Sequence, residues 1–347
     1  MAAGRAPGEH RAAENPTSNS TILLRKFNDF DRFLGIRGLV TPTRTYLVCA
    51  TPRSGSTLVC QALKETGVAG RPEEYFEALE HSGRPRRPEE YFNGVEDQAI
   101  LNQLQRRGVA EEPAPRSPLW GRTAYDRYLE WAMEQGTTRN GVFGAKLMWG
   151  YLGDFVSLLR NIPEYRDLPL AELLPTVFPD VTFVRVIRAN KVRQAVSLWK
   201  AVQTATWRQK GDNDPFAGVP EDSDVPPYKS FLDEHLPALR FNFNAISHLL
   251  AQILRDEARW DAFFEHVRIK PVLVLYENFA ADYETSTLNV LGRLGLKPPD
   301  GFKFEPRMKS QSDGLNDDWA RRYAELRLGT EFDLVPSLPD AVESPAR

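Results

Sequence analysis

The chain alternates short apolar runs with longer stretches in which apolar residues recur at helical spacing. Four runs rich in apolar and β-branched residues predict strands at 46–50, 142–149, 181–188 and 272–276. Amphipathic spacing predicts helices at 56–66, 95–107, 123–135, 151–160, 191–203, 229–265 and 283–295. Strands separated by helices predict an α/β fold in which helices cover both faces of a central parallel sheet.

The same pattern divides the chain into an extension, one domain and a tail. Residues 1–40 form an N-terminal extension, of which 1–20 are small and polar and predicted to be disordered, whereas 21–40 have the spacing of a short helix. We predict a single α/β domain over 41–335 and a disordered tail over 336–347. The acidic, proline-rich residues 211–228 are predicted to form a loop that could act as a lid.

The first predicted strand leads through a polar loop into a helix, an arrangement typical of anion binding. Residues 51–57 read Thr-Pro-Arg-Ser-Gly-Ser-Thr, the helix starts near Ser56, and Gly67 stands where a left-handed helix stop is expected. Unpaired backbone N–H groups and the positive end of the helix dipole favour an anion at this point. The alternative interpretation is an ordinary serine-rich helix cap.

This loop differs from the Walker phosphate loop in two ways. The G-x-x-x-x-G-K-[ST] signature is absent, and Arg53 supplies the positive charge in place of the Walker lysine. No predicted strand ends in the aspartate that holds magnesium in phosphoryl-transferring enzymes. The sequence therefore predicts a phosphate site that works without a metal.

Two further positions suggest a second basic site. Arg188 ends a predicted strand and Ser197 follows nine residues later in the next helix, so the pair could bind a second phosphate. The alternative is a surface arginine and a mid-helix serine. Lys146 lies in an otherwise apolar strand, where it either neutralises charge in a site or extends from the strand end into solvent.

The hexapeptide Arg-Pro-Glu-Glu-Tyr-Phe occurs twice, at 71–76 and at 87–92. Two copies are too few for a solenoid, which needs at least three repeats. Proline and acidic residues favour the first turn of a helix, so both copies are predicted to start short helices.

Composition excludes several classes of function. The net charge of -3 gives no general attraction to nucleic acid, and no apolar run is long enough for an integral membrane segment. No secretory h-region precedes the domain, so we predict a cytoplasmic protein in which Cys49 and Cys60 are buried, reduced thiols. The five histidines lack ligand spacing, and no metal is expected.

Four motifs taken together resemble the bacterial trehalose 2-sulfotransferase family. They are Thr51–Thr57, Gly67–Gly70 with Pro72, Glu74 and Phe76, Gly144–Trp149, and Gln194–Gln203 with Trp207 and Arg208. The resemblance spans roughly residues 44–326, which makes it more specific than any single loop. It implies a three-layer fold related to the P-loop NTPases and a sulfotransferase that uses 3′-phosphoadenosine 5′-phosphosulfate (PAPS). It also implies a carbohydrate acceptor, such as trehalose, and a homodimer.

The resemblance also implies roles for individual residues. The 5′-phosphosulfate of PAPS is expected on Arg53, Ser54, Gly55, Ser56 and Thr57, and the 3′-phosphate on Arg188 and Ser197. Glu74 is expected to act as the general base. Lys146 could neutralise charge on the transferring group, and Gln311, with Arg307 and Lys309, could close over the nucleotide.

The repeated hexapeptide makes the choice of base specific. Only its first copy adjoins the segment that leads from the phosphate-binding helix, so Glu74 is predicted to be the base. Glu73, Glu89 and Glu90 are predicted to be solvated carboxylates. Arg71 stands where the family pattern has an acidic residue near the sugar, so another carbohydrate or a non-sugar alcohol is an alternative acceptor. The alternative functions are a non-catalytic protein that binds PAPS or its product, and a P-loop kinase.

Overall fold

A computed structural model describes five stretches of the chain, namely residues 42–77, 86–105, 124–204, 239–304 and 314–332. The predicted N-terminal extension, the acidic loop at 211–228 and the tail at 336–347 lie outside the described residues. Gln311, Arg307 and Lys309 lie outside them as well.

A parallel sheet forms the centre of the described structure. Its strands are β1 (Arg44–Ala50), β2 (Val142–Met148), β3 (Val181–Ile187) and β4 (Val272–Leu275), in the order β2-β1-β3-β4. Every pairing is parallel, and Leu47 of β1 lies opposite Ala145 on one side and Phe183 on the other. The predicted α/β fold with a central parallel sheet flanked by helices is confirmed.

Helices connect and cover the strands. In chain order they are α1 (Ser56–Glu65), α2 (Gln98–Gln105), α3 (Tyr125–Gly136), α4 (Trp149–Arg160), α5 (Leu170–Val177), α6 (Lys191–Thr204), α7 (Phe243–His266), α8 (Tyr276–Ala281), α9 (Tyr283–Arg293) and α10 (Gly314–Phe332). Short 3₁₀ helices span Pro88–Phe92 and Pro163–Tyr165. None of the helices in these stretches combines the length and apolarity needed to cross a membrane.

Several boundaries differ from the predicted ones. Trp149 and Tyr276, predicted to end strands, instead begin α4 and α8. The predicted helix at 229–265 begins only at Phe243 within the described part, because the Asn242 side chain accepts the Ala245 N–H at 3.0 Å and caps the helix there. Helix α5, which contains Pro175, was not predicted.

Alternation along β1 divides the core into two layers. Leu47 and Cys49 pack on one face with residues of α3, α4, α5 and α7, whereas Tyr46, Val48 and Ala50 pack on the other with α1 and α9. A third cluster joins α6, α7 and α10. Cys49 and Cys60 are both buried and form no disulfide, as predicted, and burial raises the pKa of the Cys49 thiol.

The two copies of the hexapeptide adopt different structures. The second copy forms the 3₁₀ helix Pro88–Phe92, as predicted, but the prediction of a helix at the first copy is wrong. Glu73 instead forms an isolated parallel bridge with Ala145, and its carbonyl accepts the Lys146 N–H at 2.9 Å. Glu73 takes this conformation because the edge of β2 supplies a hydrogen-bond partner for its backbone, and Tyr75 and Phe76 then form a turn.

Candidate active site

The predicted phosphate loop follows β1 at the carboxyl edge of the sheet. Strand β1 is central, and the chain continues to β2 on one side and to β3 on the other. In open parallel sheets this reversal of strand order leaves a crevice at the strand ends, where ligands bind. Residues 51–57 therefore lie at the expected position for a binding site.

The loop backbone depends on Gly55. This residue has φ of 90°, a conformation that residues with a β-carbon rarely adopt. A β-carbon at this position would also lie 2.0 Å from Cδ2 of the Tyr276 ring. Both the turn and the close approach of Tyr276 therefore require glycine, which accounts for the only glycine in the loop.

The N-terminus of α1 lacks a local partner for its positive end. Gly55 provides no side-chain cap, and the first turn of α1 contains no acidic residue. Backbone N–H groups in the first turn of a helix have no intrahelical acceptor. The start of α1 can therefore donate several hydrogen bonds to an anionic group.

Arg53, Arg188 and Ser197 meet beside this helix terminus. The Arg53 Nε donates to the Ser197 hydroxyl at 3.0 Å, and the Arg188 Nη1 donates to the Arg53 carbonyl at 3.3 Å. The Arg188 guanidinium also lies 5.0 Å from the centre of the Tyr276 ring. The first and second predicted phosphate sites are thus joined into one basic cluster.

Burial makes the charges of this cluster costly. It lowers the pKa of Arg53, and the nearby positive charge of Arg188 lowers it further. Burial also lowers the pKa of Arg188. The buried Arg188 Nε donates to no hydrogen-bond acceptor among the described residues. An anion at this position would satisfy that donor and offset the repulsion between the two arginines.

Glu74 and Lys146 form an ion pair next to the phosphate loop. The Lys146 Nζ lies 3.4 Å from the Glu74 Oε2, and their side chains are only 5% and 13% exposed. The same Nζ donates to the Thr57 hydroxyl, in the first turn of α1, at 3.1 Å. Lys146 therefore connects the predicted base with the predicted phosphate-binding helix and does not extend into solvent.

Glu73 departs from the prediction of a solvated carboxylate. Its side chain is 14% exposed and forms an ion pair with Lys64 of α1 at 2.9 Å. Because Glu73 forms the bridge with β2, its side chain and that of Glu74 are directed to different lysines. The two adjacent carboxylates thus have separate partners.

Most of the predicted site residues line one cavity of about 340 Å³. The members are Arg53, Gly55, Ser56, Thr57, Glu74, Lys146, Arg188 and Ser197. Ser54 does not line it, since its side chain is fully buried beneath the loop and its hydroxyl has no partner among the described residues. No group of His, Cys, Asp and Glu within the described stretches has the arrangement of a metal site.

A polar network supports the loop from behind, and sequence reasoning missed it. The buried Gln194 side chain donates to the Thr51 hydroxyl at 2.9 Å and to the Pro52 carbonyl at 2.8 Å. Thr51 in turn donates to Glu257 of α7, which pairs with Lys191 of α6 at 2.5 Å. Thr51 and Gln194 each begin a motif of the family resemblance, but the long separation along the chain conceals the contact between them.

A second group of cavity residues was also missed. Arg86 and Tyr91 from the second hexapeptide region, and Gln252 and Asp256 from α7, also line the cavity. Burial raises the pKa of Asp256, although Arg259 and Arg86 oppose that effect. Arg86, Gln252 and Asp256 lie outside every motif, and Tyr91 belongs to the hexapeptide copy that was not expected at the site, so none of the four could be selected from the sequence.

Comparison with known proteins identifies the family. Residues 45–325 match the family described as Stf0 sulphotransferase. The chain belongs to the Stf0 sulfotransferase family. Membership makes the protein a sulfotransferase enzyme, and it supports neither the kinase nor the non-catalytic alternative.

Two curated relatives are similar along most of their length. The trehalose 2-sulfotransferase of Mycolicibacterium smegmatis is 30% identical over 279 residues, which cover 80% of this chain and 93% of the relative. The trehalose 2-sulfotransferase of Mycobacterium tuberculosis is 32% identical over 281 residues, covering 81% and 94%. Both matches confirm the resemblance found in the sequence motifs.

A solved structure was also matched. The sulfotransferase domain from the Synechococcus PCC 7002 olefin synthase is 14% identical, with 87% of this chain and 91% of that chain covered, at a TM-score of 0.34. A TM-score at this level has no bearing on the details of the site.

Arg71, which departs from the family pattern, lies outside the cavity. Its side chain is exposed and donates to the Gln135 carbonyl near the end of α3 at 3.3 Å. The described geometry thus places this charge against α3 and not among the cavity residues.

Proposed function

We propose that the protein transfers a sulfuryl group from PAPS to a hydroxyl of a carbohydrate, with Glu74 as the general base. One observation carries the proposal, namely that Lys146 contacts both Glu74 and Thr57. The Lys146 ammonium group thereby links the Glu74 carboxylate to Thr57 at the start of the helix that would bind the anion. That arrangement suits a reaction in which a hydroxyl is deprotonated next to a bound phosphosulfate.

The basic cluster fits a donor that bears two phosphates. The Arg188 Nε, which donates to no acceptor in the described part of the chain, and the Ser197 hydroxyl suit a 3′-phosphate. Arg53, Ser56, Thr57 and the first N–H groups of α1 suit the 5′-phosphosulfate. When bound, PAPS supplies an activated sulfuryl group attached to a good leaving group. The Ser54 side chain is fully buried and its backbone N–H donates to the Thr51 carbonyl at 3.3 Å, so Ser54 would shape the loop and not contact the donor.

The chain's own residues then have distinct tasks. Glu74 accepts the proton of the acceptor hydroxyl while the hydroxyl oxygen forms its bond to sulfur. Arg53 and the start of α1 would stabilise the negative charge on the leaving phosphate, which would keep the electron pair of the broken O–S bond. Lys146 orients Glu74 and offsets negative charge on the sulfuryl oxygens.

The relatives suggest the chemical nature of the acceptor. Both carry the name trehalose 2-sulfotransferase, so we infer a trehalose-like sugar as the acceptor here. The proposal also retains a single domain over 41–335, a cytoplasmic location and the homodimer implied by the family resemblance. Light scattering of the purified chain measures the oligomeric state.

The test of the base is the substitution Glu74→Gln, which keeps the size of the side chain but removes the proton acceptor. We expect kcat for sulfate transfer from labelled PAPS to trehalose to fall by about 10²- to 10⁴-fold. Binding of adenosine 3′,5′-bisphosphate, measured by calorimetry, should change by less than about threefold, because the basic cluster is intact.

Glu73→Gln is the matched control, since the neighbouring carboxylate pairs with Lys64 instead of Lys146. It should retain kcat within about threefold, because neither Glu73 nor its partner Lys64 lines the cavity. Wild-type turnover in Glu74→Gln, or an equal loss in both variants, would reject Glu74 as the base.

A further inference from the structure

The cavity lining contains two groups of charged residues. Arg53, Lys146 and Arg188, at or near the phosphate loop, form a cationic group that is called the loop end. Glu77, Asp256 and Arg86 line the same cavity and all act electrostatically on Tyr91, and this group is called the second end. Carboxylates repel the phosphates of a nucleotide, so this end is unsuited to the donor. Glu74 and Lys146 also line the cavity, and they contact the loop end through Thr57.

Arg86 is held in place at this second end. Its Nη2 donates to the Gly150 carbonyl, at the start of α4, at 2.6 Å. Its guanidinium also lies 5.3 Å from the centre of the Tyr91 ring. A guanidinium has five N–H donors, so these contacts leave donors for a hydroxyl oxygen at the cavity wall.

Helix α7 contributes two hydrogen-bonding side chains that are one turn apart, at positions 252 and 256. The Gln252 Nε2 donates to the Tyr91 carbonyl at 3.4 Å, which orients its amide, and the amide oxygen accepts no hydrogen bond from the described residues. The Asp256 Oδ1 accepts from Arg259 at 3.3 Å, and within the same stretches its Oδ2 accepts none. Both side chains therefore retain acceptors that match hydroxyl donors.

We propose that Asp256, Gln252 and Arg86 form the acceptor subsite and bind an uncharged polyol such as a sugar. The assignment rests on the proposed function, in which a hydroxyl must reach Glu74 from the side away from the donor. Carboxylate and amide oxygens accept from sugar hydroxyls, an arginine donates to them, and the Tyr91 and Tyr151 rings supply apolar surface for sugar C–H groups. An anionic sugar would meet the Asp256 and Glu77 carboxylates and bind more weakly.

The test measures binding of acceptor and donor separately. The wild type, Asp256→Asn and Gln252→Ala are each saturated with adenosine 3′,5′-bisphosphate and titrated with trehalose, maltose and sucrose, with saturation-transfer NMR as the readout. We expect the dissociation constant of the best-bound disaccharide to rise at least about tenfold in each variant, the usual effect of losing a hydrogen bond to a charged or buried group. The affinity for the bisphosphate should stay within about twofold.

Two controls separate recognition from structural effects. Asp261→Asn makes the same change at an exposed position of α7 and should leave both affinities unchanged. Arg259→Gln removes the ion-pair partner of Asp256 but keeps the carboxylate, so it should also leave disaccharide binding within about threefold. An effect of Arg259→Gln as large as that of Asp256→Asn would overturn the assignment in favour of a structural role.

The remaining outcomes distinguish this inference from the proposed function. Unchanged disaccharide affinity in both Asp256→Asn and Gln252→Ala, or no disaccharide binding to a wild type that binds the bisphosphate, would overturn the acceptor subsite and leave the donor site standing. Failure of the wild type to bind the bisphosphate would instead reject the proposed donor. If such a wild type still bound a disaccharide, weaker disaccharide binding by Asp256→Asn and Gln252→Ala would support the acceptor subsite.

Discussion

The two copies of Arg-Pro-Glu-Glu-Tyr-Phe have the same sequence and different structures. In the first copy Glu73 and Glu74 pair with Lys64 and Lys146, and the Phe76 ring stacks on Phe155 at 4.3 Å. In the second copy Glu90 accepts the N–H of Arg87 within the same short helix, at 2.6 Å. Neighbours in space, and not the local sequence, therefore decide which glutamate becomes a candidate base.

The two copies also contribute residues to the same cavity. The first provides Glu74, and the second provides Tyr91, with Arg86 immediately before it. Phe76 packs in the core cluster on one face of the sheet, whereas Phe92 packs between α6 and α7. Each aromatic pair thus anchors its copy in a different part of the core.

The largest effect on this contrast is expected from Lys146→Met, which removes the partner that distinguishes Glu74 from the other glutamates. We expect kcat to fall at least about 100-fold. The reason is that Glu74 loses the partner that orients it. Removing one partner of a buried ion pair also lowers the free energy of unfolding, by up to about 3–5 kcal/mol in other proteins. Steady-state transfer from PAPS and urea unfolding measure the two effects.

Lys64→Met is the matched control in α1, because it removes the lysine that pairs with Glu73. The Lys64 side chain is 33% exposed, so the loss of stability should stay within about 1 kcal/mol. Equal losses of turnover in the two lysine variants would show that the Glu74 pair has no special place in the reaction.

A smaller effect is expected from Gly70→Ala, which disturbs how the first copy approaches β2. Gly70 has φ of 68°, and a β-carbon there would lie 2.6 Å from the Gly144 backbone nitrogen. The left-handed conformation costs about 1–2 kcal/mol for a residue with a β-carbon, and the backbone clash adds to it. We expect a lower melting temperature and a loss of turnover of about tenfold, because Glu74 moves.

Gly94→Ala provides the comparison after the second copy. Gly94 has a similar φ of 79°, but no atom lies within 4 Å of a β-carbon at that position. Only the conformational cost of about 1–2 kcal/mol should appear, with turnover unchanged. Equal losses of turnover at the two glycines would contradict the role of the β2 contact.

The smallest effect is expected from Glu90→Ala in the second copy. Its carboxylate accepts a backbone N–H at the start of the 3₁₀ helix, and loss of such a cap costs about 0.5–2 kcal/mol. We expect kcat within about twofold of the wild type. A loss as large as that of Glu74→Gln, measured in the same assay, would mean that the wrong copy has been assigned the base.

The first strand, the loop and α1 could be predicted because their signals are local. An apolar run, a polar turn and a helix that begins at Ser56 and is followed by Gly67 at φ of 69° each depend on short-range geometry. The family resemblance predicted the fold and selected Arg53, Glu74, Arg188 and Ser197 as site residues. All four line the cavity. The roles assigned to these residues stay predictions until the variants are measured.

The predictions that failed depended on contacts between distant segments. The first hexapeptide has the composition of a helix start, but β2 offered an edge for hydrogen bonding, and Glu73 joined it. Gln194 begins one of the family motifs and Glu257 belongs to none, and neither position indicates a contact with Thr51, which both reach through hydrogen bonds that span 143 and 206 residues. Such contacts leave no periodicity for a reader of the sequence to find.

The α/β order of strands and helices, the phosphate loop and the family could thus be predicted from the sequence. Hydrophobic periodicity and turn residues act over a few positions, so they can be read directly from the chain. The pairing of Glu74 with Lys146, and the position of Asp256 and Gln252 of α7 at the same cavity, became evident from the folded structure. Those choices depend on how β2 and α7 pack across the sheet, because burial and ion pairing are set by neighbours in space.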